Sequence, residues 1–224
     1  MTKPFADFKE DLGFFCSENE IDNDKISIVG VSKKKSLEDI LSLYNLGLRD
    51  FGENYAQELN EKSLALDSKE IRWHFMGPIQ TNKIGLIVKN SYLVHSVDRE
   101  KVLRKMEFES KKINKIQKIL VQVNISGEDS KSGILPNDAE EFINLADSFD
   151  NLELTGLMFM PNINQDKVSH IKEIRDSVAL FNDMKSKRSN IQVLSLGTSS
   201  DYKECIKAGS NLIRVGEILF GPRV

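Results

Sequence analysis

Short apolar runs alternate with longer amphipathic segments along the whole chain, and this repeat limits the possible folds more than any other feature. Residues 26–31 are the first apolar run, and residues 37–46 are an amphipathic segment that ends at Gly47. The pattern occurs eight times in 224 residues, so a unit has about 28 residues, close to the ~30 of one βαβ repeat. Strands that are apolar on both faces are typical of a buried parallel sheet. The repeat therefore predicts an α/β fold.

Eight units favour a closed (β/α)8 barrel of the TIM type. The predicted strands are residues 26–31, 48–51, 72–76, 91–96, 119–125, 152–160, 191–196 and 212–215. The predicted helices include residues 37–46, 81–89, 98–112 (with Asp98 as a possible cap), 137–149, 166–186 and 200–208, and a further helix at residues 5–16 lies outside the repeat. A doubly wound Rossmann sheet is the alternative, but no Gly-x-Gly-x-x-Gly follows the first strand. No linker divides the chain, so we expect one domain over residues 1–224.

Composition excludes several classes of protein. The 31 Lys and Arg residues nearly balance the 34 Asp and Glu residues, so no global positive field favours nucleic acid. No apolar run approaches the ~20 residues that a membrane span needs, and the first residues do not resemble a signal peptide. Cys16 and Cys205 are far apart in sequence, so we expect neither a disulfide scaffold nor a structural zinc site. We expect a cytoplasmic protein without a metal site.

In a barrel of this class, the site lies at the carboxyl ends of the strands. The first strand is followed by Ser32 and three lysines, of which Lys33 shares the alternation of Val29 and Val31. A lysine enclosed in the barrel mouth loses hydration, which lowers its pKa and leaves an amine able to form a Schiff base. Three solvated lysines are the alternative.

The segments after the seventh and eighth strands contain small and hydroxyl residues. They are Gly197-Thr198-Ser199-Ser200 and Gly216-Glu217. Barrels often bind phosphate with these two loops, because small side chains let backbone N–H groups approach an anion. A plain turn is the alternative. A Schiff-base lysine together with a phosphate site fits either pyridoxal phosphate (PLP) or a phosphorylated sugar in an aldolase.

Other strand ends have weaker signals. Glu53 and Asn54 suit a helix start, His74 beside the only Trp could be a packed core residue, and Met158 could belong to the core.

Taken together, these segments resemble the YggS/PROSC family of PLP homeostasis proteins. The matching segments are Val31-Ser32-Lys33, Phe51-Gly52-Glu53-Asn54-Tyr55, Trp73-His74-Phe75-Met76-Gly77-Pro78, His95-Ser96, Lys131-Ser132-Gly133, Gly156-Leu157-Met158, Leu194-Ser195-Leu196-Gly197 and Arg214-Val215-Gly216. Each is weak alone, but their number and order make the resemblance specific.

The resemblance implies a single barrel similar to the N-terminal domain of alanine racemase, with PLP held as a Schiff base on Lys33. It implies that Arg214 lies by the pyridine nitrogen. Gly216 and Glu217, with Ser199 or Ser200, would hold the phosphate, and Asn54, Tyr55, His74 and Met158 would line the pocket. The family usually has a small hydroxyl residue at position 217 and Met-Ser-Asp-Asp where this chain has Thr198-Ser199-Ser200-Asp201. Glu217 would repel phosphate unless its side chain points away.

The resemblance also implies a PLP carrier or buffer without robust catalysis, a monomer, and apo PLP-dependent enzymes as possible partners. The alternatives are a PLP-dependent racemase-like enzyme and a PLP-independent Schiff-base enzyme. A two-base racemase of this fold takes its second base from a further β-rich domain, and we expect no such domain after Val224. An arginine beside the pyridine nitrogen would also leave PLP a poor electron sink.

Overall fold

Strands and helices alternate along the chain as the repeat predicts. The computed structural model describes residues 3–67, 69–128 and 131–221, so both ends of the predicted domain, residues 1–2 and 222–224, lie outside the described residues. The strands in this part of the chain are β1 (Ser27–Val31), β2 (Asp50–Glu53), β3 (Arg72–Phe75), β4 (Leu93–Val97), β5 (Gln117–Val123), β6 (Leu152–Phe159), β7 (Val193–Thr198) and β8 (Leu212–Val215). The helices are α1 (Lys3–Glu18), α2 (Leu37–Asn45), α3 (Ala56–Ala65), α4 (Ile84–Asn90), α5 (Glu100–Lys112), α6 (Ala139–Asp147), α7 (Lys167–Lys187), α8 (Tyr202–Ala208) and α9 (Glu217–Phe220). Short 3₁₀ turns cover Asn23–Lys25, Thr81–Lys83 and Pro136–Asp138.

The strands form one closed parallel barrel in chain order, which confirms the predicted (β/α)8 architecture. The barrel closes where β8 pairs with β1, with Ser27 opposite Leu212 and Val29 opposite Arg214. Because all strands run the same way, their carboxyl ends meet at one mouth of the barrel.

Two apolar regions hold the barrel together. A large core lies between the outer faces of the strands and the surrounding helices, with Phe51, Phe75 and Phe159 fully buried in it. A smaller cluster inside the barrel joins Val29, Leu93, Leu120, Met158 and Leu212 from five strands. Val29 is thus an inward-facing position of β1, as the alternation predicts.

The extra N-terminal helix is confirmed and packs against the end of the barrel chain. Phe8 and Leu12 of α1 are buried, and the Phe8 ring meets the Tyr202 ring edge-on at 5.4 Å. The Tyr202 hydroxyl donates to Asp11 Oδ2 at 2.8 Å. These contacts tie α1 to α8, two elements almost two hundred residues apart in sequence.

Asp98 does not cap α5, which corrects the sequence-based expectation. The N-cap position is Arg99, and it makes no side-chain capping hydrogen bond. The Asp98 carboxylate instead interacts with Arg99 and with the backbone amides of Asp98 and Gly133, and burial raises its pKa. None of the helices in the described residues is both long enough and apolar enough to cross a membrane.

Candidate functional site

A cavity of about 680 Å³ opens at the carboxyl ends of the strands. Eight of the ten residues predicted from sequence line it: Lys33, Asn54, Met158, Ser199, Ser200, Arg214, Gly216 and Glu217. These residues come from five segments that lie far apart along the chain, and the barrel brings them around one space. Thr198, from the predicted phosphate segment, also lines the cavity, and sequence reasoning did not select the further lining residues Val31, Met76, Met160, Ile163 and Ile218. The strand alternation that selected Lys33 could have selected Val31 as well.

A buried ion-pair cluster fixes the backbone that precedes Lys33. Ser32 Oγ donates to Glu53 Oε1 at 2.6 Å. The Lys62 ammonium donates to the Ser32 carbonyl at 2.7 Å and to Glu53 Oε1 at 2.8 Å. Burial raises the pKa of Glu53, and the adjacent Lys62 ammonium opposes this effect. The cluster therefore joins Ser32, the residue between β1 and Lys33, to β2 and α3.

The backbone of Lys34, the residue after Lys33, is also fixed by a hydrogen bond. Lys34 has a φ of 60°, in the left-handed region, and its amide donates to Glu58 Oε1 at 2.5 Å. Glu58 also accepts from the Lys62 ammonium at 2.8 Å. The backbone on both sides of Lys33 is thus anchored to α3, while its side chain lines the cavity.

The segments after β7 and β8 are hydrogen-bonded to each other. The Gly216 amide donates to Ser199 Oγ at 3.2 Å. Asp201 Oδ1 accepts from the Thr198 amide at 2.7 Å and from the Thr198 hydroxyl at 2.9 Å. Asp201 Oδ2 lies 3.2 Å from Nε2 of His170 on α7. Hydroxyl and amide groups thus line one wall of the cavity in a fixed arrangement.

Arg214 contributes a buried cation to the cavity. Its Nη1 donates to Ser195 Oγ at 2.5 Å, and its Nη2 donates to the Phe159 carbonyl at 2.9 Å. Burial lowers the pKa of Arg214 to about 10, which still leaves the guanidinium charged at neutral pH.

Asn54 presents an unsatisfied polar atom at the cavity. Its side-chain oxygen is buried and has no hydrogen-bond partner among the described residues. The backbone of Asn54 lies against Gly77, where a Cβ would come within 2.0 Å of the Asn54 carbonyl oxygen. Only glycine at position 77 therefore allows this placement. Buried polar atoms are rarely left unpaired in proteins, so Asn54 points to a ligand with a hydrogen-bond donor.

The structure does not bring Tyr55 or His74 to this cavity. Tyr55 is the N-cap residue of α3 and is 52% exposed. His74 lies in the barrel interior, where its ring bonds to His95 and Asp50, and it lines a separate 180 Å³ cavity at the amino ends of the strands. Strand alternation indicates that position 74 points inward, but not how deep along the strand it lies.

Comparisons with known proteins agree with this geometry. The family model "Alanine racemase, N-terminal domain" matches residues 24–224. A pyridoxal phosphate homeostasis protein of Haemophilus influenzae is 37% identical over 216 residues, covering 93% of this chain and 90% of the relative. A protein of the same name from Vibrio alginolyticus is 36% identical and covers 89% of this chain and 88% of the relative.

Among solved structures, the chain is similar to PipY of Synechococcus elongatus PCC7942. Its PLP-bound structure matches with a TM-score of 0.80 and 24% identity, over 88% of this chain and 93% of that chain. This likeness shows the fold, and the curated relatives show the family.

Proposed function

Because the chain belongs to the pyridoxal phosphate homeostasis family and matches the alanine racemase N-terminal domain model, we propose that it binds pyridoxal 5'-phosphate and takes part in intracellular PLP homeostasis. One observation carries this proposal: a single cavity collects Lys33, Arg214 and the hydroxyl and amide groups after β7 and β8. The related PipY protein has been solved with PLP bound.

The residues present fit this cofactor. PLP needs an amine for its aldehyde, donors for its phosphate, and a neighbour for its ring nitrogen. Lys33 supplies the amine, and Ser199, Ser200 and the Gly216 and Glu217 amides supply the phosphate donors. Arg214 supplies a donor for the ring nitrogen. The unpaired oxygen of Asn54 and the apolar wall formed by Met158 complete the set.

When bound, the cofactor supplies an aldehyde that condenses with an amine, so Lys33 is the residue to which it would be linked. Ser32, Glu53 and Lys62 orient the backbone from which Lys33 extends. The Gly216 amide donates to Ser199 Oγ, so it must release or share this hydrogen bond when it donates to the phosphate.

We propose that the protein holds and supplies or buffers PLP, and does not turn over amino acids at a robust rate. A guanidinium at a pKa of about 10 donates a hydrogen bond to a ring nitrogen and does not protonate it, which weakens electron withdrawal by the ring. Assays for stereospecific conversion of amino acids test this point. A robust rate with any amino acid would contradict it.

Other expectations belong to the same proposal. We propose one domain over residues 1–224, a monomer, and apo PLP-dependent enzymes as recipients of the cofactor. We propose the reducing cytoplasm as the compartment, because Cys16 and Cys205 are both free thiols.

The visible absorption spectrum with PLP, before and after borohydride, tests the central claim. We expect an absorption band that borohydride bleaches in the wild type and that is absent from Lys33→Ala. Lys34→Asn is the matched control, since it removes a neighbouring exposed lysine and asparagine tolerates the left-handed backbone at this position. A band that persists in Lys33→Ala would assign the linkage to another residue, and no band in the wild type would overturn the proposal.

A further inference from the structure

The middle of the barrel is polar, whereas branched apolar side chains usually fill this region. His74, His95, Ser195 and Arg214 project inward from β3, β4, β7 and β8. His95 and Ser195 are completely buried, and His74 and Arg214 are nearly so. Burying four polar side chains inside the barrel is costly unless each finds a partner.

These side chains form one continuous hydrogen-bonded chain that crosses the barrel. Asp50 Oδ1, near the amino ends of the strands, lies 2.9 Å from His74 Nε2. His74 Nδ1 lies 2.8 Å from His95 Nε2, and His95 Nδ1 lies 3.0 Å from Ser195 Oγ. Ser195 Oγ accepts from Arg214. The chain thus connects a carboxylate at one end of the barrel to the arginine of the cavity at the other.

Hydrogen-bond accounting gives this chain a single direction. Arg214 has no acceptor and must donate to Ser195. The Ser195 hydroxyl then has one remaining partner in the described residues, His95 Nδ1, to which it donates. His95 must therefore carry its proton on Nε2 and donate to His74 Nδ1. His74 in turn carries its proton on Nε2 and donates to Asp50.

The charged groups around the chain are consistent with this direction. Arg72 donates to Asp50 with Nε at 2.7 Å and Nη2 at 2.5 Å, and Tyr92 packs against the His74 ring at 5.9 Å. Arg72 and His74 hold the pKa of Asp50 at about 2, against the effect of burial, so its carboxylate is charged. Burial, with the nearby Arg214 cation, holds the pKa of His95 well below its ordinary value, so that ring is neutral.

We propose that Asp50, His74, His95 and Ser195 are positioning residues for Arg214, which fix the direction of its guanidinium through this hydrogen-bonded chain, whereas Asp201 is the nearby carboxylate that offsets part of its charge. Arg214 has two neutral hydrogen-bond partners in the described residues, Ser195 and the Phe159 carbonyl. The aligned N–H groups of both histidines point toward Asp50 and their lone pairs point toward Arg214. Such aligned chains strengthen each hydrogen bond in turn. The effect of this chain on the cofactor rests on the proposed function, but its direction does not.

The direction is tested on the protein without PLP. Long-range ¹H–¹⁵N spectra distinguish a protonated from an unprotonated ring nitrogen, and the chain has only three histidines. We expect Nε2 of both His74 and His95 to carry a proton and Nδ1 of both rings to accept a hydrogen bond. A proton on Nδ1 of His95 would overturn the proposal, and this result needs no variant and no cofactor.

Asp50→Asn then tests whether the far carboxylate sets this direction. We expect mixed protonation of the two histidine rings, altered side-chain signals of Arg214, and a PLP dissociation constant raised on the order of tenfold. The matched control is Arg72→Gln, which removes the other partner of Asp50 but keeps the carboxylate and should leave the ring protonation and the PLP affinity as in the wild type.

The two proposals fail in different ways. The wild type and Asp50→Asn could both fail to bind PLP while the histidines are protonated as expected and respond to Asp50→Asn. In that case the proposed function is wrong and the positioning chain stands. If PLP binds with the same affinity to Asp50→Asn, or the histidine signals do not change in it, the positioning role is wrong.

Discussion

At the scale of single residues, Glu217 has the charge that most directly opposes the proposed ligand. It lines the cavity, is exposed, and is the first residue of α9 after Gly216. A carboxylate near a phosphate is repulsive, and its removal should favour binding. We expect Glu217→Ser to lower the PLP dissociation constant on the order of three- to tenfold, with less gain at high salt. Isothermal titration calorimetry with PLP measures this change, with Glu10→Ser on the exposed face of α1 as the control. An unchanged PLP dissociation constant in Glu217→Ser would mean that the Glu217 side chain points away from the phosphate.

Lys62 is a residue outside the cavity whose loss should cost much of the free energy of unfolding. It neutralises Glu53, which is fully buried, and Lys62→Met would leave that carboxylate without its cation. Removing one partner of a buried ion pair costs about 3–5 kcal/mol of unfolding free energy. Urea unfolding should show this loss, and adding Glu53→Gln should recover part of it.

Lys172→Met provides the contrast for this prediction. Lys172 pairs with Asp176 on the exposed surface of α7, and exposed pairs contribute less than about 1 kcal/mol. Equal losses in Lys62→Met and Lys172→Met would show that the buried cluster does not anchor the segment of Lys33.

The same residues show what sequence could and could not predict. Alternation along β1 predicts that Lys33 shares the face of Val29, and the cavity confirms this placement of the lysine. The inward direction of His74 follows from similar alternation, but its partners Asp50 and His95 come from neighbouring strands. Pairing across strands depends on strand register, which no single segment encodes.

At the scale of elements, all eight strands are predictable; the eighth has the predicted bounds, Leu212–Val215, whereas the ends of others, such as the second, are displaced. The second strand was expected at residues 48–51 but is Asp50–Glu53. Leu48 is apolar because it packs outside the strand, close to Gly30, whereas Glu53 lies within the strand because Lys62 and Ser32 pair with its carboxylate. Hydrophobic patterning identifies burial, and it misplaces a boundary where a buried charge replaces an apolar side chain.

The loop between β7 and α8 permits a prediction that separates the phosphate from the rest of the cofactor. Asp201 holds Thr198 by two hydrogen bonds and is paired with His170 of α7, but it does not line the cavity. Asp201→Ala should therefore loosen the phosphate wall and leave the surroundings of Lys33 intact.

Comparison of PLP with pyridoxal, which lacks the phosphate, measures this effect. We expect Asp201→Ala to weaken PLP binding on the order of tenfold, as for loss of charged hydrogen bonds, and to leave pyridoxal binding unchanged. Asp166→Ala is the control, since Asp166 caps α7 outside the cavity. An equal loss for both ligands would place the effect on the whole cavity.

At the scale of the whole molecule, the two ends of the barrel have carboxylates whose pKa values are displaced in opposite directions. Asp50 and Glu53 are the first and last residues of β2. Arg72 and His74 lower the pKa of Asp50 from 3.8 to about 2 despite its burial, whereas burial raises the pKa of Glu53 above 4.5 despite Lys62. The two carboxyl groups of β2 therefore change the free energy of unfolding with pH in opposite directions.

The sign of each effect follows from which state binds the proton more tightly. The lowered pKa of Asp50 stabilises the folded protein above pH 3.8, and this contribution, about 2 kcal/mol, is lost as the pH falls toward 2. The raised pKa of Glu53 has the opposite consequence: its contribution is present below pH 4.5 and is lost as the pH rises through the folded-state value.

Urea unfolding from pH 3 to pH 7 should show that Asp50→Asn costs less stability at the acidic end than at neutral pH. Glu53→Gln, which mimics the protonated acid, should become more stable relative to the wild type as the pH rises above 4.5. The difference in unfolding free energy between a variant and the wild type could instead stay constant over this range. The replaced carboxyl group would then have the same pKa in the folded and unfolded protein, because the effect of burial and the effect of its charged partners cancel.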